Sequence, residues 1–175
     1  MINDKNINEL LAYDPDSGLF TWKHRPLSLF KSESSYKTWN SRYANKKAGR
    51  PHNGGYWSIG IHGKQLLAHR VAWYLHYGII PSCFIDHING VKNDNRISNL
   101  REASRSENLY NAKTPKHNTS GVKGVFLDKI SGKWKALITL NKKQISIGLF
   151  TSVELASMAL QAKRRELHGA FANNG

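Results

Sequence analysis

The sequence predicts an α+β protein built of small modules, and three observations lead there. The chain has 175 residues, 39% of them apolar, which is enough for packed cores but not for large ones. Short stretches with strand-like apolar patterning, such as LFTWK at 19–23 and WKALITLN at 134–141, read as strands. Capping signals recur at Asn6-x-x-Glu9, Ser104-x-x-Glu107 and Thr151-x-x-Glu154, each opening a helix.

Charge narrows the partners. Lysine and arginine number 26 against 12 acidic residues, for a net charge of +14, and the polyanion that such a surface suits is nucleic acid. The excess is uneven: residues 17–68 carry nine Lys/Arg against the single acid Glu33, which makes them a DNA-tracking surface. An anionic membrane would call for a basic amphipathic helix or a lipidation signal, and neither is present. The first twenty residues hold no basic stretch followed by an apolar one, and the longest aliphatic and aromatic run is VAWYL at 71–75. The expectation is a soluble, cytoplasmic protein with no membrane partner. Cys83 is the only cysteine, so neither an internal disulfide nor a structural zinc site is expected.

From the N-terminus, INELLAY reads as a short helix ended by Asp14 and Pro15, DPDSG as a turn and LFTWK as a strand. Residues 28–50 lack periodicity and mix basic with aromatic side chains. They read as a long loop, either an arm that orders on DNA or an ordinary solvated loop. GYWSIGI and KQLLA flank HGK as a hairpin, and HRVAWYLHYG is a helix stopped by Gly78. Residues 84–111 then give a strand FIDHI, a polar loop NGVKNDNRIS, a strand NLREA, and a helix capped by Ser104 that carries Asn108 in its first turn. TPKHNTSG is a linker. Beyond it GVFLDK, WKALITLN and QISIGLF form three strands, and a long helix ends near His168 with Gly169 as its stop. Leu155, Ala156, Ala159, Leu160 and Ala162 give that helix a close-packing face. The expected domains are 1–65, a basic β-rich DNA-contacting segment; 66–113; the linker 114–120; and 121–175.

The stretch with chemistry is IDHINGVKNDNRISNLREASRSENLYN, residues 85–111. Cleaving a phosphodiester asks for a positioned, deprotonated water and a cation against the developing charge. Asp86 and Asn108 form a hard, oxygen-only partial shell suited to Mg²⁺ or Mn²⁺, with positions left for phosphate and water. His87 is the candidate general base, because imidazole titrates nearest neutrality. Asn99 is the candidate acceptor that fixes its tautomer. Asn89, Asn93 and Asn95 read as turn residues, and the EF-hand calcium pattern is not matched.

AHRVAWYLHYGIIPSCFIDHINGVKNDNRISNLREASRSENLYN resembles the HNH nuclease module of phage and intron-borne homing endonucleases. The likeness lies in an Asp-His pair, an Asn 12 residues after the His, and another Asn nine residues later on a helix. It implies a ββα-metal fold with His87 as base, Asn99 orienting it, and Asp86 and Asn108 holding one divalent metal, Mg²⁺ or Mn²⁺. The zinc-binding Cys pairs of many such proteins are missing. His69, Arg70, Arg96, Arg101 and Arg105 are candidates for supporting the site or binding phosphate.

SGVKGVFLDKISGKWKALITLNKKQISIGLFTSVELASMALQAKRRELHG resembles the APETALA2-type DNA-binding domain. In that family a three-stranded sheet enters the major groove. The matching candidates are Lys123, Lys133, Trp134, Lys135, Lys142 and Lys143, with Lys where Arg is common. Trp134 could face either side of its strand.

The expected architecture is thus a central ββα-metal module flanked by an N-terminal β-rich segment and a C-terminal three-stranded sheet plus helix. The expected function is a site-specific, metal-dependent endonuclease of the homing type acting on double-stranded DNA in a bacterial host cell. Whether it works as monomer or homodimer, and whether it nicks or breaks both strands, is open. The competing class is a non-catalytic, sequence-specific DNA-binding regulator.

Overall fold

The computed structural model of the chain describes residues 7–114 and 117–174. Asn6 as a cap and positions 115–116 of the linker lie outside the described residues. The chain divides into two compact units, residues 1–102 and 103–175, and the fold is α+β with several small sheets.

In the first unit, α1 (Ile7–Leu10) runs straight into β1 (Leu11–Asp14), which pairs antiparallel with β2 (Leu19–Trp22). INELLAY is therefore half helix and half strand. The helical signal stops at Leu10 because Leu11 and Tyr13 turn inward while Ala12 and Asp14 are exposed, a period of two. The Asp14–Gly18 turn closes with Gly18 N–H donating to Asp14 O at 2.9 Å. Gly18 has φ +70°, and a Cβ there would lie 2.4 Å from the Arg96 nitrogen, so only glycine fits.

Residues 28–50 are not a loop throughout. They contain α2 (Glu33–Tyr43), with Ser32 as its cap accepting from Ser35 N–H. None of its residues is buried, so it has no apolar stripe for a periodicity argument to find. Aromatic packing holds it instead: the Arg25 guanidinium lies 3.9 Å over Trp39 and 5.0 Å over Trp22. The Asn40 side chain also clasps both backbone groups of Arg25.

Next come β3 (Arg50–Pro51), β4 (Trp57–Ile61) and β5 (Lys64–Leu67), a three-stranded antiparallel sheet. The β4–β5 hairpin turns on His62 and Gly63, both at positive φ, the geometry that matches strand twist. β5 leads directly into α3 (Ala68–Tyr77), which Gly78 ends in the left-handed conformation. Ala68, His69, Val71 and Ala72 are its buried face. Ala68, Val71 and Ala72 join Ile7, Leu10, Leu11, Phe20, Ile59, Ile85 and Leu100 in one core. β6 (Phe84–His87) and β7 (Leu100–Ala103) form a two-stranded sheet.

In the second unit, α4 (Arg105–Tyr110) opens with the capping box of Ser104 and Glu107. β8 (Val125–Asp128), β9 (Lys133–Leu140) and β10 (Lys143–Phe150) make an antiparallel sheet in the order β10-β9-β8. α5 (Val153–His168) lies against it over a small core of Val125, Ala136, Ile138, Ala156 and Leu160. Its cap is Ser152, which accepts from Leu155 N–H, one residue later than the Thr151 expected from the spacing to Glu154. No helix among the described residues is long and apolar enough to cross a membrane.

Candidate active site

Asp86 and His87 are consecutive on β6 and both buried, at 5% and 4% exposure. Successive strand residues point to opposite faces, so each face of β6 is covered. Arg101, on β7, grips Asp86 with Nε at 2.9 Å and Nη2 at 2.8 Å, both on Oδ2. Such charge-assisted bonds fix the orientation of a buried carboxylate.

The His87 ring has three notable neighbours in the first unit. Asn95 Oδ1 stands 3.5 Å from Nε2, the His69 ring meets it edge-on at 5.0 Å, and Tyr56 lies at 6.1 Å. Burial pushes the imidazole below its ordinary pKa, opposed by the Asn95 bond and by Asp86. Asn95 is itself tied down: Tyr13 Oη donates to its backbone O at 2.8 Å and its Nδ2 donates to Asn93 O at 3.2 Å. That orientation turns Oδ1, an acceptor, toward the ring. Asn95 is 3% exposed. Nothing in NDN distinguishes it from its neighbours, since only the folded loop shows which amide turns inward.

His69 is buried beside His87, and its Nδ1 has no hydrogen-bond partner among the described residues. Burial, then His87 and Arg70, push its pKa down to about 3. In the unfolded chain it titrates near 6.5, so between those values the unfolded state binds the extra proton and stability falls as the pH drops. From pH 6.5 to 4.5 we expect a loss of roughly 2 kcal/mol from this group. Thermal melts across that range check it: His69→Phe should flatten the decline, and an unchanged decline would refute the assignment.

Asn99 is placed to shape the loop. Its Oδ1 accepts from Asn89 N–H at 3.0 Å, its Nδ2 donates to Asp94 O at 2.8 Å, and its backbone O accepts from Ile88 N–H at 2.9 Å. Within the same loop Asn89 Nδ2 donates to Asp94 Oδ2 at 2.7 Å, and Arg96 takes both Asp94 oxygens. The Arg96 bonds hold the Asp94 carboxyl down near pKa 2. Arg70 donates to Cys83 O and Pro81 O at 2.8 and 2.7 Å, bracing the chain as it enters β6. Asn108 and Arg105 lie on α4 in the second unit. The Asn108 side chain makes no hydrogen bond among the described residues.

Period two on β9 puts Trp134 on the side of Ala136 and Ile138, and it packs against their core. Lys133 and Lys135 face the other way. Register places Phe126, Lys135 and Leu149 in one row across that open face, with Phe126 and Leu149 at 41% and 48% exposure. Lys142 and Lys143 lie at the exposed β9–β10 turn, where Asn141 and Lys142 have positive φ. Lys123 points elsewhere: its ammonium donates to Tyr110 O at 2.7 Å and also to Ala112 O.

Comparison with known proteins adds two findings. The family model for HNH endonucleases matches residues 66–110, the stretch that holds His69, Asp86, His87, Asn99 and Asn108. Protein 3.8 of Escherichia phage T7 is 39% identical over 105 residues, which span 59% of this chain and 86% of that protein. No solved structure matches. The chain therefore belongs to the same family as phage T7 Protein 3.8 and carries an HNH endonuclease domain at residues 66–110.

Proposed function

We propose that the protein is a site-specific endonuclease of the homing type that hydrolyses phosphodiester bonds of double-stranded DNA, in the cytoplasm of a phage's host cell. The observation that carries this reading is the buried Asp86-His87 pair on β6, with its carboxylate held by Arg101 and its imidazole faced by Asn95.

The donors the chain offers are hard ones. No group of three or more His, Cys, Asp or Glu stands together among the described residues, so the metal ligands proposed are the Asp86 carboxylate and the Asn108 amide. One divalent ion, Mg²⁺ or Mn²⁺, suits that pair. When bound, it would hold a phosphate oxygen and offset the charge that develops in cleavage. His87 takes the proton from the attacking water. With Asn95 Oδ1 accepting at Nε2, the ring's lone pair falls on Nδ1. Asn99 orients His87 indirectly, by closing the loop that follows it. His69, kept neutral, walls the ring.

The C-terminal unit, with its APETALA2-like pattern, grips DNA through the open face of its sheet. Lys133 and Lys135 are set there for phosphate, and Phe126 and Leu149 for apolar contact. Lys142 and Lys143 extend the cationic edge. The basic surface of the first unit, α2 included, adds non-specific hold. Incubating supercoiled plasmid carrying the cognate locus with Mg²⁺, Mn²⁺ or EDTA tests the reading. Relaxation with either metal and none with EDTA is expected. Intact plasmid under all three conditions, with retention on DNA, would favour the regulator.

A further inference from the structure

Helix α4 has six residues, too few to be stable alone, and something must satisfy the carbonyls of its last turn. Within the second unit that task falls to side chains distant in sequence. Lys123 Nζ donates to Tyr110 O at 2.7 Å and to Ala112 O, and Asn173 Nδ2 donates to Asn111 O at 2.7 Å. The Tyr110 ring, 8% exposed, stacks on His168 with centroids 3.8 Å apart and planes 1° from parallel. Its hydroxyl accepts from Asn141 N–H at 2.9 Å, at the β9–β10 turn, while His168 Nε2 meets Thr139 O at 2.9 Å.

Lys123 is anchored in its turn. Arg164, 2% exposed, donates to Lys123 O at 2.6 Å and to Asn174 Oδ1 at 2.9 Å. Burial, with Arg164 nearby, draws the Lys123 ammonium down to about 8. A lysine that serves as a phosphate contact has a solvated head, whereas this one is spent on the end of a helix.

We propose that Lys123 and Tyr110 are positioning residues for the nuclease: they fix α4, and with it the amide of Asn108, from within the C-terminal unit, so that this unit contributes to metal binding as well as to DNA contact. The inference rests on the reading of Asn108 as a metal ligand.

The test uses the full chain and Mn²⁺ alone, titrated by electron paramagnetic resonance, with plasmid nicking against Mn²⁺ concentration in parallel. Wild type is compared with Asn108→Ala, Lys123→Met, Lys123→Arg and Tyr110→Phe. Lys123→Met should weaken Mn²⁺ binding roughly tenfold, the scale of losses on removing a group that supports a ligand. Lys123→Arg should restore part of it, and Tyr110→Phe, which keeps the stack and loses only the hydroxyl's two bonds to Asn141, should show a smaller shift. Duplex affinity and its salt slope should stay as in wild type, since a lost phosphate contact lowers that slope by about one. If Asn108→Ala weakens Mn²⁺ binding while Lys123→Met and Tyr110→Phe do not, the proposal is overturned and the ligand assignment stands. If Asn108→Ala binds Mn²⁺ like wild type, both fall. A lower salt slope in Lys123→Met with Mn²⁺ affinity intact would make Lys123 a DNA contact and overturn the proposal.

Discussion

His87→Ala is expected to cut DNA ~10² to 10⁴ times more slowly than wild type, the usual loss on removing a general base, while binding DNA with the wild-type affinity. Binding should survive because the cationic side chains proposed to grip DNA, such as Lys133 and Lys135 on β9, are not among the groups that touch the His87 ring. The ring is 4% exposed, so its removal leaves a cavity, and melting curves must accompany the kinetics. A folded His87→Ala that nicks at the wild-type rate would end the assignment. Asn95→Ala should fall between the two, because it removes the acceptor at Nε2 and leaves the ring in place.

Gly18→Ala is expected to destabilise the first unit strongly. Its backbone sits at φ +70°, and the added Cβ would lie 2.4 Å from Arg96 N and 2.5 Å from Asn95 C. Both are backbone atoms, so no rotamer change relieves the clash. Left-handed strain and overpacking together cost about 2 to 5 kcal/mol, enough to lower Tm by roughly 10 °C or more. The displaced segment is the one that presents Asn95 to His87, so nicking should fall as well, even at temperatures where the variant is folded. A melt within a degree or two of wild type would mean that the Asp14–Gly18 turn does not bear on the loop as described.

Local signals proved readable and distant ones did not. The capping box at Ser104 and Glu107 and the stop at Gly78 each lie within a few residues, and the three strands and helix of the second unit followed from pattern alone. α2 escaped because its stability comes from Trp39, Tyr36 and Arg25 packing with side chains earlier in the chain, not from a buried stripe. β1 reads as helix in the sequence because four residues are too few for either period to declare itself. In the site, Asp86 and His87 were legible as neighbours in sequence. Which asparagine turns toward the ring was not, because that depends on Tyr13 reaching across 82 residues to hold Asn95. Likewise, Lys123 looks in sequence like any other lysine of a basic strand-rich segment. Only its acceptors at Tyr110 and Ala112 set it apart.

The boundary between the compact units at Glu102 and Ala103 falls inside the 66–110 match, and this bears on how chimaeras of such proteins should be joined. A junction at residue 113 would separate α4 from Lys123, Asn141, His168 and Asn173, handing it to a foreign partner with none of its brackets. A junction just after Glu102 would transplant the helix together with everything that holds it. For recombination, the natural cassette is therefore not the stretch that sequence similarity outlines.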